Sequence, residues 1–100
     1  MFEWDEQKRL ATRSKHEIDF VDAIEIFGGK VLLLSARSEI EARQKAIAPL
    51  GSKMICVVFT FRDNKIRIIT ARVARQNERE KYQELYPGTD QGNEGPDELG

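Results

Sequence analysis

Six consecutive residues, Met54-Ile55-Cys56-Val57-Val58-Phe59, carry no polar side chain apart from one thiol. An extended segment turns alternate side chains to opposite faces, so a strand that is apolar throughout must be covered on both sides. In a chain of 100 residues, 33% of them charged and 40% hydrophobic, that places the segment at the centre of a sheet with helices packed on it. Pro49-Leu50-Gly51-Ser52 and Arg62-Asp63-Asn64-Lys65 supply turns before and after it. Residues 43–48, which alternate moderately, and residues 66–73, rich in β-branched side chains, are the expected neighbouring strands. Residues 30–35 read as a further strand.

The N-terminal half has helical spacing instead. Phe2-Glu3-Trp4 reads as a short edge strand, with Phe2 and Trp4 anchoring it against a helix. Asp5 is then a good N-cap for a helix from Glu6 to about His16, whose buried stripe is thin. Asp19 caps a second helix carrying Phe20, Ala23, Ile24 and Phe27, with Gly28-Gly29 expected to close it as a left-handed cap. A charged helix from about Arg75 to Leu85 ends before Pro87 and docks through Tyr82 and Tyr86. The expected order is β-α-α-β-β-β-β-α, an α+β fold of two N-terminal helices and a C-terminal helix on a mostly antiparallel sheet. Residues 1–86 make one domain. Residues 87–100 form an acidic, Gly/Pro-rich tail with too little apolar material to order by burial, so disorder is expected there.

Composition narrows the function classes. The lone Cys56 excludes a disulfide framework and any multi-cysteine metal site. No apolar run approaches the roughly 18 residues of a membrane span, and the acidic start lacks a signal peptide's layout, so a cytoplasmic location is expected. No nucleotide-phosphate loop, dinucleotide fingerprint or paired-histidine zinc motif occurs, so neither cofactor nor metal is expected. The net charge of −1 hides an asymmetry: the tail carries four acids and no base, which leaves residues 1–86 at +3. Bulk charge of that size gives weak nucleic-acid affinity, so an anionic partner must be held by a local cluster. Residues 62–81 hold seven bases against three acids.

Each candidate residue has a structural reading beside the chemical one. Arg72 interrupts an apolar strand; its guanidinium either forks onto a phosphate or pairs with Glu78 or Glu41. Strict alternation puts Arg67 and Arg72 on opposite faces unless a bulge intervenes near Thr70. His16, the one histidine, is either a proton shuttle or a helix-end partner of backbone carbonyls, and Lys15 beside it either a cation for the substrate or a solvated side chain. Glu41 and Arg43 point the same way on an extended chain, as a base and a phosphate clamp or as a surface ion pair. Cys56 reads as a buried hydrophobe.

Taken together, Phe2-Glu3-Trp4-Asp5-Glu6-x-Lys8, Lys15-His16-x-Ile18-x-Phe20-x-Asp22-Ala23, Val57-Val58-Phe59-Thr60, Ile66-Arg67-Ile68-Ile69-Thr70-Ala71-Arg72-x-Ala74 and Glu78-Arg79-x-x-x-Tyr82 resemble the BrnT toxins over about residues 2–83. The resemblance implies a RelE-like ribonuclease of a bacterial type II toxin–antitoxin pair, cutting RNA without a metal and slowing translation. It also implies a BrnA-like ribbon-helix-helix antitoxin, with operator DNA contacted only through that partner. Lys15, His16, Glu41, Arg43 and Arg72 are then the expected catalytic group, with Arg67, Arg75 and Arg79 on the RNA. One departure stands out: the residue after the Lys-His pair, usually glycine in the family, is Glu17 here. The alternative is a catalytically weak, toxin-like module that acts mainly in complex with a DNA-binding antitoxin.

Overall fold

The computed structural model describes residues 1–36 and 42–88. Among these, three α-helices pack on one five-stranded mixed sheet. In chain order the elements are β1 (Phe2–Trp4), α1 (Glu6–His16), α2 (Phe20–Ala23), a 3-10 segment (Ile24–Gly28), β2 (Leu32–Ala36), β3 (Arg43–Leu50), β4 (Lys53–Arg62), β5 (Lys65–Val73) and α3 (Gln76–Leu85). The strands lie in the order β1-β5-β4-β3-β2. β1 runs parallel to β5, and the other pairs are antiparallel. The apolar segment is thus the middle strand, and Ile55, Cys56 and Val57 are fully buried.

Two short turns fix the hairpins. Gly51-Ser52 joins β3 to β4 with Gly51 at φ 61°, where a side chain would be strained. Asp63 and Asn64 join β4 to β5 with φ of 54° and 64°, the left-handed pair that matches the twist of a two-residue hairpin. Pro49 lies inside β3, two residues past Ile47, the last residue paired with Leu32 of β2. Its missing N–H therefore breaks no bond to that neighbour.

The ladder between β4 and β5 slips once: Val58 pairs with Thr70, but Phe59 pairs with Ile68. Ile69 is the extra residue of a β-bulge. One face of the sheet consequently carries Ile55, Val57, Phe59, Ile68 and Ala71, and α1, α2 and the 3-10 segment cover it. Phe27 meets Phe59 edge-on at 5.2 Å, and Trp4 meets Phe20 at 6.0 Å. The other face carries Lys45, Ile47, Cys56, Thr60, Arg67 and Arg72. Helix α3 covers the part of it nearest β2, where the Tyr82 hydroxyl donates to the Lys30 carbonyl and the Tyr86 hydroxyl to that of Val31. Among the described residues no helix covers the remainder.

Helix ends follow their caps, with one correction. Asp5 Oδ1 accepts from the N–H groups of Gln7 and Lys8, and Asp19 Oδ1 from that of Val21. That backbone donor, helped by Arg9, holds the Asp19 carboxyl below its usual range. Gly28-Gly29 was expected as a left-handed cap; instead the helix tightens into the 3-10 segment and Gly29 is extended at φ −127°. The left-handed position occurs at Glu17, with φ 59° and ψ 34°. The expected tail, from residue 89 onward, lies outside the described residues.

Candidate active site

The part of the sheet face that no described helix covers is cationic because three strands end there with bases in phase. Extending the β3–β4 ladder by one residue sets Arg43 beside Thr60, and Thr60 pairs with Arg67 on its other side. Two strand spacings, roughly 9–10 Å, separate the two arginines. Arg62 follows Thr60 at the same-face interval. Lys8 comes in from the first turn of α1. A cleft of about 190 Å³ is lined by Asp5, Lys8, Arg43, Arg62, Arg67, Ile68 and Ile69. The bulge puts Arg67 on this face and exposes Ile69 to the cleft.

Thr60 lies between the two arginines. It is 4% exposed, and its hydroxyl donates to the Ala42 carbonyl at 2.5 Å, pinning the backbone that leads into Arg43. Glu3 Oε2 lies 3.5 Å from Arg67 Nη1, a pair at the rim worth under roughly 1 kcal/mol. A phosphate in the cleft would lie among four cationic side chains, of which Arg67 also faces Glu3.

Arg72 points from the same face as Arg43 and Arg67, but its fork is occupied. Nη1 and Nη2 donate to Glu78 Oε1 and Oε2, each at 2.9 Å, and Lys45 Nζ donates to Oε2 at 2.8 Å. The Arg75 backbone N–H donates to Oε1 at 2.9 Å. Glu78 is 1% exposed, a carboxylate buried only because these donors satisfy it. The Arg72 guanidinium, followed by Lys45 and the Arg75 N–H, holds its carboxyl far below the usual carboxylate range against the cost of burial. Arg72 is in turn pushed further toward its charged form. Cys56, below Arg72 on β4, is fully buried, and desolvation pushes its thiol up to about 11.

The remaining expected residues are dispersed. Lys15 and His16 sit in the last turn of α1; Lys15 is seven residues from Lys8, about 10.5 Å along the axis, and neither lines the cleft. Arg75 is the N-cap of α3. Arg79 lies with Gln76, Glu80 and Gln83 around a shallow depression on the outer side of α3. Glu41 falls outside the described residues. The structure thus brings Arg43 and Arg67 together and adds Lys8, Arg62 and Asp5, which sequence reasoning passed over. Arg62 was hidden in the turn reading of 62–65, yet its i+2 relation to Thr60 was available. Asp5 was read only as a cap, and Lys8 only as part of the N-terminal pattern. Among the described residues no three His, Cys, Asp or Glu side chains gather as metal ligands.

Residues 4–78 match the model of the family described as the ribonuclease toxin, BrnT, of type II toxin–antitoxin systems. The chain belongs to the BrnT family. All five charged residues of the cleft fall within the matched span. The chain is also similar to a crystal structure at 1.1 Å resolution of the Brucella abortus ribonuclease toxin, BrnT. The two share 29% identity over 76% of this chain and 99% of the other, with a TM-score of 0.59. A comparison with curated proteins finds no match. Membership makes this a ribonuclease toxin fold of a type II toxin–antitoxin system, with an antitoxin as partner and RNA as target. No helix among the described residues is long and apolar enough to cross a membrane.

Proposed function

We propose that this BrnT-family chain is a metal-independent endoribonuclease that arrests translation by cutting cytoplasmic RNA. One observation carries the reading: Lys8, Arg43, Arg62 and Arg67, from three strands and a helix, converge on one cleft that also holds a carboxylate. In this RelE-like reading, a base takes the proton of an RNA 2′-hydroxyl. The 2′-oxygen attacks the adjacent phosphorus, and the products are a 2′,3′-cyclic phosphate and a 5′-hydroxyl. Arg43 and Arg67 clamp the phosphate from either side of Thr60, and Lys8 and Arg62 add charge stabilisation. Arg72 stays paired with Glu78 and holds α3 in place, and Arg75 and Arg79 of that helix contact flanking RNA. Lys15 and His16, at the far end of α1, contact more distant RNA.

The partner in this reading is a BrnA-like ribbon-helix-helix antitoxin whose acidic segment fills the cleft, with operator DNA bound only through it. A second reading, a weakly catalytic module acting mainly in the complex, draws on one feature: Glu78 already occupies the fork of Arg72. Expression of the chain alone in bacteria separates them. Growth arrest with RNA breakage, relieved by the co-expressed neighbouring antitoxin and seen again in purified protein with a chelator present, supports the nuclease. Unchanged growth with intact complex formation supports the module.

A further inference from the structure

The cleft contains four bases and one acid among its lining residues, and the acid has a known constraint on only half of its carboxylate. Asp5 Oδ1 is taken by the N–H groups of Gln7, at 2.8 Å, and Lys8, at 3.4 Å. Among the described residues Oδ2 has no donor. The residue is exposed, lines the cleft and is held in the extended N-cap conformation, φ −84° and ψ 124°, so the helix start fixes the carboxylate through one oxygen only. Other described groups able to take a proton are worse placed. Glu3 is engaged with Arg67 at 3.5 Å. His16 is at the opposite end of α1 and lines no part of the cleft. Glu78 is buried and saturated by Arg72, Lys45 and the Arg75 N–H.

We infer that Asp5 is the general base of the cleft, a catalytic role beside its cap role; the inference rests on the ribonuclease reading above. Oδ2 takes the proton from the 2′-hydroxyl as the 2′-O–P bond forms. The P–O5′ bond breaks, and the 5′-oxygen recovers a proton through solvent, so the step is a transesterification that leaves Asp5 ionised again. Lys8, three residues on, places its ammonium on the phosphate from the same helix turn that orients the base.

The cap itself supplies a clean test, because asparagine caps a helix as well as aspartate does but cannot act as a base. Purified parent, Asp5→Asn, Asp5→Ala, Glu41→Gln and Arg67→Ala proteins are compared on a mixed-sequence single-stranded oligoribonucleotide, with a 2′-deoxy strand as the uncleavable control. Asp5→Asn is expected to keep the parent's Tm and KM while kcat falls by about 10²–10⁴-fold, the range for loss of a general base. Asp5→Ala loses the same activity and also melts earlier. A kcat for Asp5→Asn within threefold of the parent, with Arg67→Ala or Glu41→Gln strongly impaired, overturns the role of Asp5 and leaves the cleft reading standing. If Arg67→Ala also cuts at the parent rate, the cleft reading has failed and the inference goes with it.

Discussion

Arg67 and Arg72 are five residues apart on one strand yet project from the same face of the sheet, because Ile69 is inserted between their ladders. Strict alternation over five residues would put one arginine under the helices, and the bulge restores the phase. Deleting Ile69 joins Ile68 directly to Thr70, opposite the consecutive Phe59 and Val58, so the ladder becomes regular and both arginines keep the cationic face. The expected result is cooperative unfolding retained in a denaturant titration followed by near-ultraviolet circular dichroism; its loss would show that Ile69 is not the extra residue. Ile69→Val, which keeps the count, should cost no more than about 1 kcal/mol.

Glu78 anchors α3 through Arg72 and Lys45, and Glu78→Gln leaves both cations facing a neutral amide. The loss of a buried partner costs about 3–5 kcal/mol, reduced here to roughly 2–3 because Arg72 and Lys45 are partly solvated. The sign with pH follows from the lowered carboxyl of the folded state. Below the ordinary value of 4.5 the unfolded chain takes up a proton that the native Glu78 refuses, so stability present at neutral pH is lost as pH falls. Unfolding midpoints measured from pH 7 down to pH 3 should decline more steeply for the parent than for Glu78→Gln.

Glu17 occupies a left-handed backbone position with no glycine to relieve it. Glu17→Gly removes the steric penalty of about 1 kcal/mol but enlarges the unfolded ensemble, for a net gain of about 0.5 kcal/mol. A rise in Tm of roughly 2–4 °C is expected, and a fall would show that the side chain has a role the backbone geometry does not reveal. A glycine at this place would suit the same φ, which closes α1.

Cys56 should be inert in the native protein. It is fully buried with its thiol raised to about 11, so little thiolate forms at neutral pH. A colourimetric disulfide reagent should titrate one thiol in denaturant and none within minutes under native conditions.

The sequence showed the sheet more readily than the site. Met54–Phe59 has only one physical solution, a covered central strand, and Asp5 and Asp19 marked helix starts by chemistry that acts over three residues. The end of the second helix was harder, since Gly28-Gly29 permits a left-handed cap without requiring one. The site depends on pairing between distant strands: Arg43 meets Arg67 only across Thr60, and no local pattern says which residue of β5 is the extra one. Arg72 illustrates the other limit. Its spacing to Glu78 allowed an ion pair or a phosphate fork, and only the burial of Glu78 shows that the pair is made.

The central claim is that Arg43 and Arg67, set on either side of Thr60, hold the scissile phosphate. Its most direct test is single-turnover cleavage of a single-stranded oligoribonucleotide by the parent and by Arg43→Gln and Arg67→Gln, each shown to melt with the parent. Either substitution should lower the rate by about 10²–10³-fold, with a 2′,3′-cyclic phosphate on the parent's product. Parent-level cleavage by both variants would contradict it.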